Sequence, residues 1–163
     1  MKKHTGYRLI FGILGLFLVF VGVMCLLPLF LLLFYPEESN YWLNFFIPGI
    51  SAIFIGAILM VFLLRGSQGI RLGKFQDSVL LVLIWISAII ICSIPFFLKE
   101  DMNFTQGVFE TTSGFSTIGL TVFKDFDCHL FVFYRSVLTL LGGVGLVLII
   151  SSAISDKYGF KLY

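Results

Sequence analysis

Charged residues divide this chain into long apolar runs, and the runs predict its architecture. No charge falls between Arg8 and Glu37, none between Glu38 and Arg65, and none in the 21 residues from Ser78 to Leu98. A fourth run, Phe131 to Ser155, holds Arg135 as its one charge. About 20 apolar residues at ~1.5 Å rise cross the ~30 Å hydrocarbon core, so each run is long enough to span with tilt. The pattern predicts an all-α integral membrane protein with four transmembrane helices. Two form an amino-terminal hairpin over 1–70, and two, at 78–98 and 130–155, belong to a second unit over 71–163. Lys2 and Lys3 precede the first run as they would in a signal peptide. The run exceeds the ~7–15 apolar residues of a signal and no A-x-A site follows, so a retained helix is expected.

Between the third and fourth runs the pattern changes. Asn103-Phe104-Thr105-Gln106-Gly107-Val108-Phe109-Glu110-Thr111-Thr112 places Phe104, Val108 and Thr111 or Thr112 on one helical face, with Asn103 or Thr105 able to cap the start. A helix over 103–112 is only about 15 Å long, half a membrane. Ser113-Gly114-Phe115-Ser116-Thr117-Ile118-Gly119-Leu120-Thr121 follows, uncharged and rich in hydroxyls and glycine, a composition that continues a helix poorly. The expectation is a re-entrant half-helix and an extended return. Irregular backbone is tolerated at membrane depth only when buried in protein or lining a wet cavity, which implies a pore.

The chemistry such a loop suits is cation dehydration. A filter replaces hydration water with backbone carbonyl oxygens turned toward an axis, glycine permits the positive φ that this turn demands, and threonine adds a hydroxyl. Thr117-Ile118-Gly119-Leu120-Thr121 lies in register with the T-V-G-Y-G of potassium channels through its Thr, β-branched residue and Gly. Thr121 replaces the second glycine, which makes a simple potassium channel the poorer match. The candidate filter is the backbone of Ser116, Thr117, Ile118, Gly119 and Leu120, with K+ at Thr117, Ile118 and Gly119. Clusters of Ser, Thr and Gly also make ordinary polar loops, and the pentapeptide alone leaves both readings open.

Composition narrows the class and charge orients it. With 59% hydrophobic and 12% charged residues, the chain lies far from the globular range. A net charge of +2 gives no reason to expect nucleic acid. Cys25, Cys92 and Cys128 form no even set and no C-x-x-C, so neither a disulfide framework nor a metal site is expected. Lys2, Lys3, Arg8, Arg65, Arg71, Lys74, Lys157 and Lys161 stand against Asp77 and Asp156 at one set of ends, net +6. At the other set Lys99, Lys124 and Arg135 stand against Glu37, Glu38, Glu100, Asp101, Glu110, Asp125 and Asp127, net −4. The positive-inside rule then puts the amino terminus, the Arg65–Asp77 loop and the carboxyl terminus in the cytoplasm. No nucleophile, base and orienting group cluster at a plausible spacing, so no enzyme is expected.

The stretch Val108-Phe109-Glu110-Thr111-Thr112-Ser113-Gly114-Phe115-Ser116-Thr117-Ile118-Gly119-Leu120-Thr121 resembles the first pore loop of bacterial Trk-type transporters, close to F-E-x-x-S-G-F-T-T-T-G. Tyr134-Arg135-Ser136 and Leu141-Gly142-Gly143-Val144-Gly145 resemble the W-R-S and G-G-x-G of the helix that follows in that family. The two helices before the pore unit, with Pro28 and Pro36 near the end of the first, are similar to the extra pair of the Trk branch. The resemblance to the Trk/Ktr/HKT potassium transporter superfamily covers essentially the whole chain and implies K+ uptake across a bacterial inner membrane. It also implies a possible cytoplasmic nucleotide-binding regulatory subunit and no covalently bound cofactor. Members carry four helix, pore loop, helix repeats, and this chain has one. The expectation is an amino-terminal fragment of a longer transporter, the alternative four assembled copies. A non-conducting module that packs against other transporter chains in the bilayer is the second functional class.

Glu110 and Arg135 are the charges inside predicted embedded elements, and such residues are costly unless partnered. They are read as an ion pair, with snorkelling of Arg135 to the interface as the alternative. Gly142, Gly143 and Gly145 read as close helix packing in preference to a hinge, and Gly12, Gly15, Gly22, Gly49 and Gly56 likewise as contact faces. His4 and His129 read as solvated. Asn103-Phe104-Thr105 matches a glycosylation sequon and is read as coincidence with the pore-helix cap.

Overall fold

The computed structural model describes residues 3–64, 74–99, 101–124 and 126–158. Among them the α-helices are α1 (Lys3–Leu26), α2 (Trp42–Leu64), α3 (Lys74–Phe97), α4 (Phe104–Phe115) and α5 (His129–Tyr158). Two 3-10 segments, Leu27–Leu33 and Pro36–Tyr41, join α1 to α2, and no strand occurs among the described residues. The fold is all-α, as the apolar runs predict. Helices over Tyr7–Leu33, Pro36–Leu63 and Gln76–Phe97 are long and apolar enough to cross a membrane. Helix α5 has 30 residues, ~45 Å of rise, with a described apolar stretch over His129–Gly145.

Boundaries move from those expected. The third helix covers Lys74–Phe97 in place of 78–98, α5 begins at His129 in place of 130, and the half-helix runs Phe104–Phe115 in place of 103–112. Lys2, Arg65, Arg71, Glu100, Asp125 and Lys161, which enter the charge count that orients the chain, lie outside the described residues. The first run is not one plain helix either. Pro28 and Pro36 sit near the starts of the two 3-10 segments, where a missing amide ends α-helical bonding and the chain tightens.

Glycine pairs let α1 and α2 run antiparallel at close range: a Cβ on Gly15 would stand 2.7 Å from the Gly56 carbonyl, and one on Gly22 2.6 Å from that of Gly49. Helix α3 lies parallel to α1, with Ile10, Leu14 and Leu18 packed with Leu80 in one cluster. A second cluster joins Val21, Cys25 and Phe45 of the hairpin to Cys92 and Phe96 of α3 and to Phe131, Tyr134 and Leu138 of α5. The Tyr134 hydroxyl donates to the Cys92 carbonyl at 2.9 Å, and the Cys25 and Cys92 sulfurs stand 3.9 Å apart as thiols. The hairpin and the α3–α5 unit therefore share one apolar core.

Candidate functional site

Helix α4 starts at Asn103, whose extended backbone places it at the N-cap. Its N–H donates to Gln106 Oε1 at 2.8 Å, and its carbonyl accepts from the Gly107 amide at 3.0 Å. Phe104, Thr105, Phe109 and Thr112 face outward, while Gly107, Glu110, Thr111, Gly114 and Phe115 are buried. Helical structure continues through Ser113-Gly114-Phe115 against local propensity because α5 receives this turn. A Cβ on Gly142 would overlap the Phe115 carbonyl and Cα, so glycine there is what allows the helix end to seat. Gly142 is thus a packing contact, as its setting among small residues suggests.

The helix ends in a Schellman motif. The Thr117 N–H donates to Gly114 O at 2.9 Å and the Ile118 N–H to Ser113 O at 3.2 Å, with Thr117 left-handed at φ 58°. Glycine is the usual residue at that position, and a β-branched side chain there is strained. Gly119 follows at φ 78°, and a Cβ on it would meet nothing within 4 Å.

From Leu120 the chain climbs back along α4. The Ser113 hydroxyl donates to the Leu120 carbonyl at 2.6 Å. Three donors then converge on Glu110 Oε1: the Thr121 hydroxyl at 2.6 Å, the Val122 amide at 2.5 Å and the Phe123 amide at 2.8 Å. Arg135 Nε lies 3.0 Å from Glu110 Oε2, with Glu110 fully buried and Arg135 20% exposed, its guanidinium 5.7 Å from the Phe126 ring. This is an ion-pair contact without hydrogen-bond alignment, since Oε2 accepts no bond that meets angular criteria. The structure brings Glu110 and Arg135 together, and Glu110 holds the outgoing segment Thr121–Phe123.

The candidate filter residues separate by what their carbonyls do. Leu120 O accepts the Ser113 hydroxyl, which turns it toward α4. The carbonyls of Ser116, Thr117, Ile118 and Gly119 accept no hydrogen bond from any described residue. The Ser116 hydroxyl bonds back to Thr112 O at 2.8 Å, and the Thr121 hydroxyl is occupied by Glu110 and by the Phe123 amide at 2.9 Å. Both hydroxyl hydrogens are thus committed within the protein. Helix α4 directs its carboxyl end, the negative pole of its dipole, at the Ser116–Gly119 loop, which favours a cation there.

Two charged residues near this loop carry roles that charge counting hides. Glu38 accepts from the backbone amides of His129 and Leu130, both at 2.8 Å, capping α5 from 91 and 92 residues away. His129 is not simply solvated: it stacks on Tyr35 at 3.9 Å with its Nδ1 2.8 Å from Glu38. The Lys99 ammonium is 4% exposed, within 5.3–5.7 Å of the Tyr41, Phe123 and Phe131 rings and 3.9 Å from Asp101.

No family model and no solved structure matches the chain. Among curated sequences, it is 30% identical over 155 residues to the Trk system potassium uptake protein TrkG of Escherichia coli, a match that covers 90% of this chain and 31% of that protein. It is 29% identical over 157 residues to an uncharacterized cation transporter of Methanocaldococcus jannaschii (94% and 32%), and 29% over 149 residues to TrkH of Salmonella typhimurium (88% and 30%). The chain spans about a third of the length of these relatives. They are transporters and not enzymes, and with the apolar helices they mark this chain as a membrane protein.

Proposed function

We propose, from the premise that this chain is a relative of the Trk potassium uptake proteins, that it contributes one pore unit to K+ uptake through a backbone-carbonyl filter at Ser116–Gly119. The observation that carries the reading is the pair of left-handed residues, Thr117 and Gly119, in a loop whose four successive carbonyls no described group occupies. A cation shedding water needs such carbonyls, and selectivity depends on their number, spacing and field strength. The α4 dipole adds attraction at the same point. Glu110 has no direct part in coordination: it clamps Thr121–Phe123 so that the loop keeps its shape, and Arg135 balances its charge. Below the loop, Thr139, Leu140, Gly143, Val144 and Val147 of α5 line an apolar groove that suits the wall of an ion pathway.

One unit cannot enclose an axis, so the filter is completed by further pore units, either in a longer chain or in other copies. The +6 and −4 charge sets put α4 and the Leu27–Tyr41 segment toward the outside and both termini in the cytoplasm. A cytoplasmic nucleotide-binding subunit is a candidate partner there. The testing experiment is Gly119→Ser in a complete transporter containing this segment. A Cβ there meets open space but a disfavoured φ, so membrane abundance stays near normal while K+ preference over Na+ falls. Unchanged preference overturns the filter assignment.

A further inference from the structure

We propose that the amino-terminal hairpin sets the position of the filter's outgoing segment, Thr121–Phe123, through a clasp in which Glu38 is the positioning residue. Just before His129, where Ser, Thr, Asp or Asn is the usual cap, the sequence has Cys128. The acceptor comes instead from the segment before α2, where Glu38 takes the amides of His129 and Leu130 and the Cys128 thiol at 3.5 Å. The first turn so fixed carries Phe131, which is fully buried, with its ring 5.6 Å from Phe123 and 5.6 Å from Tyr41. Phe123 is the residue whose amide bonds Glu110. Lys99 reinforces the link, since its ammonium lies over the Tyr41, Phe123 and Phe131 rings. An unbroken series of contacts therefore leads from Glu38 through α5 and Phe131 to the segment that closes the filter loop. Contiguous packing of this kind couples a remote residue to a site.

The clasp acts on the Thr121–Phe123 segment, and its effect on ion preference rests on the proposed filter. The test compares Glu38→Ala, which removes the acceptor, with Glu38→Gln, which retains one acceptor oxygen, in the full chain in lipid nanodiscs. Glu38→Ala is expected to speed hydrogen exchange at both the Leu130 and Phe123 amides by roughly tenfold, and Glu38→Gln to restore much of the protection. Faster exchange at Leu130 with none at Phe123 limits Glu38 to a local cap and overturns the proposal, as does no change at either amide. In membranes holding the complete transporter, Glu38→Ala should lower the ratio of apparent K+ to Na+ affinities several-fold, with Glu38→Gln near wild type. A fall in maximal uptake at a fixed ratio is what a merely structural role gives, and it contradicts positioning. If the wild-type transporter shows no K+ uptake, the pore reading fails and the Phe123 exchange alone decides the clasp.

Discussion

Replacing Thr117 by glycine separates the stability of the filter loop from its chemistry. Thr117 holds φ 58° at the position that closes the α4 Schellman motif. A left-handed conformation costs an L-residue roughly 1–2 kcal/mol, and glycine escapes that cost. Glycine also loses about 0.5–1 kcal/mol through its freer unfolded chain. The Thr117 side chain is exposed, so its removal forfeits little burial. The difference leaves Thr117→Gly more stable by about 0.5–1 kcal/mol. For a chain of 163 residues this raises the unfolding midpoint by roughly 1–4 °C. Thr117→Ala is the control: it removes the same hydroxyl but keeps a Cβ, so it gains no such stability. Both substitutions delete an oxygen beside the candidate ion site, and both should weaken K+ preference over Na+. Thermal unfolding in detergent, followed by tryptophan fluorescence, reads the first quantity, and flux ratios in the complete transporter read the second. A lowered midpoint for Thr117→Gly would refute the strain argument. A stabilised Thr117→Gly with unchanged ion preference would remove the Thr117 hydroxyl, though not its carbonyl, from the site.

Glu110→Ala strands the largely buried Arg135 and frees three donors, so it should cost about 3 kcal/mol or more; in a double-mutant cycle, losing both partners should be less damaging than the two single losses added, and strict additivity would dissolve the pair. Gly142→Ala sets a Cβ into the Phe115 backbone, so the folded fraction recovered from membranes should fall sharply, whereas Gly143→Ala, whose Cβ would meet only Thr117 Cγ2 at 3.7 Å, should be tolerated. A thiol introduced at Glu37 should react with a membrane-impermeant reagent from outside intact cells and one at Ser67, outside the described residues, should not; the reverse pattern would invert the proposed orientation.

The spans were legible because lipid leaves one solution for a long uncharged run, and the half-helix because ten residues between caps and glycines cannot cross. Glu110 and Arg135 could be named together since each is costly in an apolar setting without the other. The helix end at Phe115 was not legible. Ser113 and Gly114 favour termination locally, and only the seat at Gly142, 27 residues beyond Phe115, overrides them. Glu38 gave no signal either, because a cap supplied from 91 residues away leaves no local spacing to read. Lys99 reads in the sequence only as one of the outer charges, yet three aromatic rings from separate segments gather around it. The bond from Ser113 to Leu120 O likewise depends on how closely the returning segment follows α4.

The most direct measurement is the location of bound ions in crystals of the complete transporter grown with thallium in place of K+. The account predicts anomalous density facing the carbonyls of Ser116, Thr117, Ile118 and Gly119, with none at the Leu120 carbonyl. Density centred elsewhere, with those four carbonyls unoccupied, would contradict it.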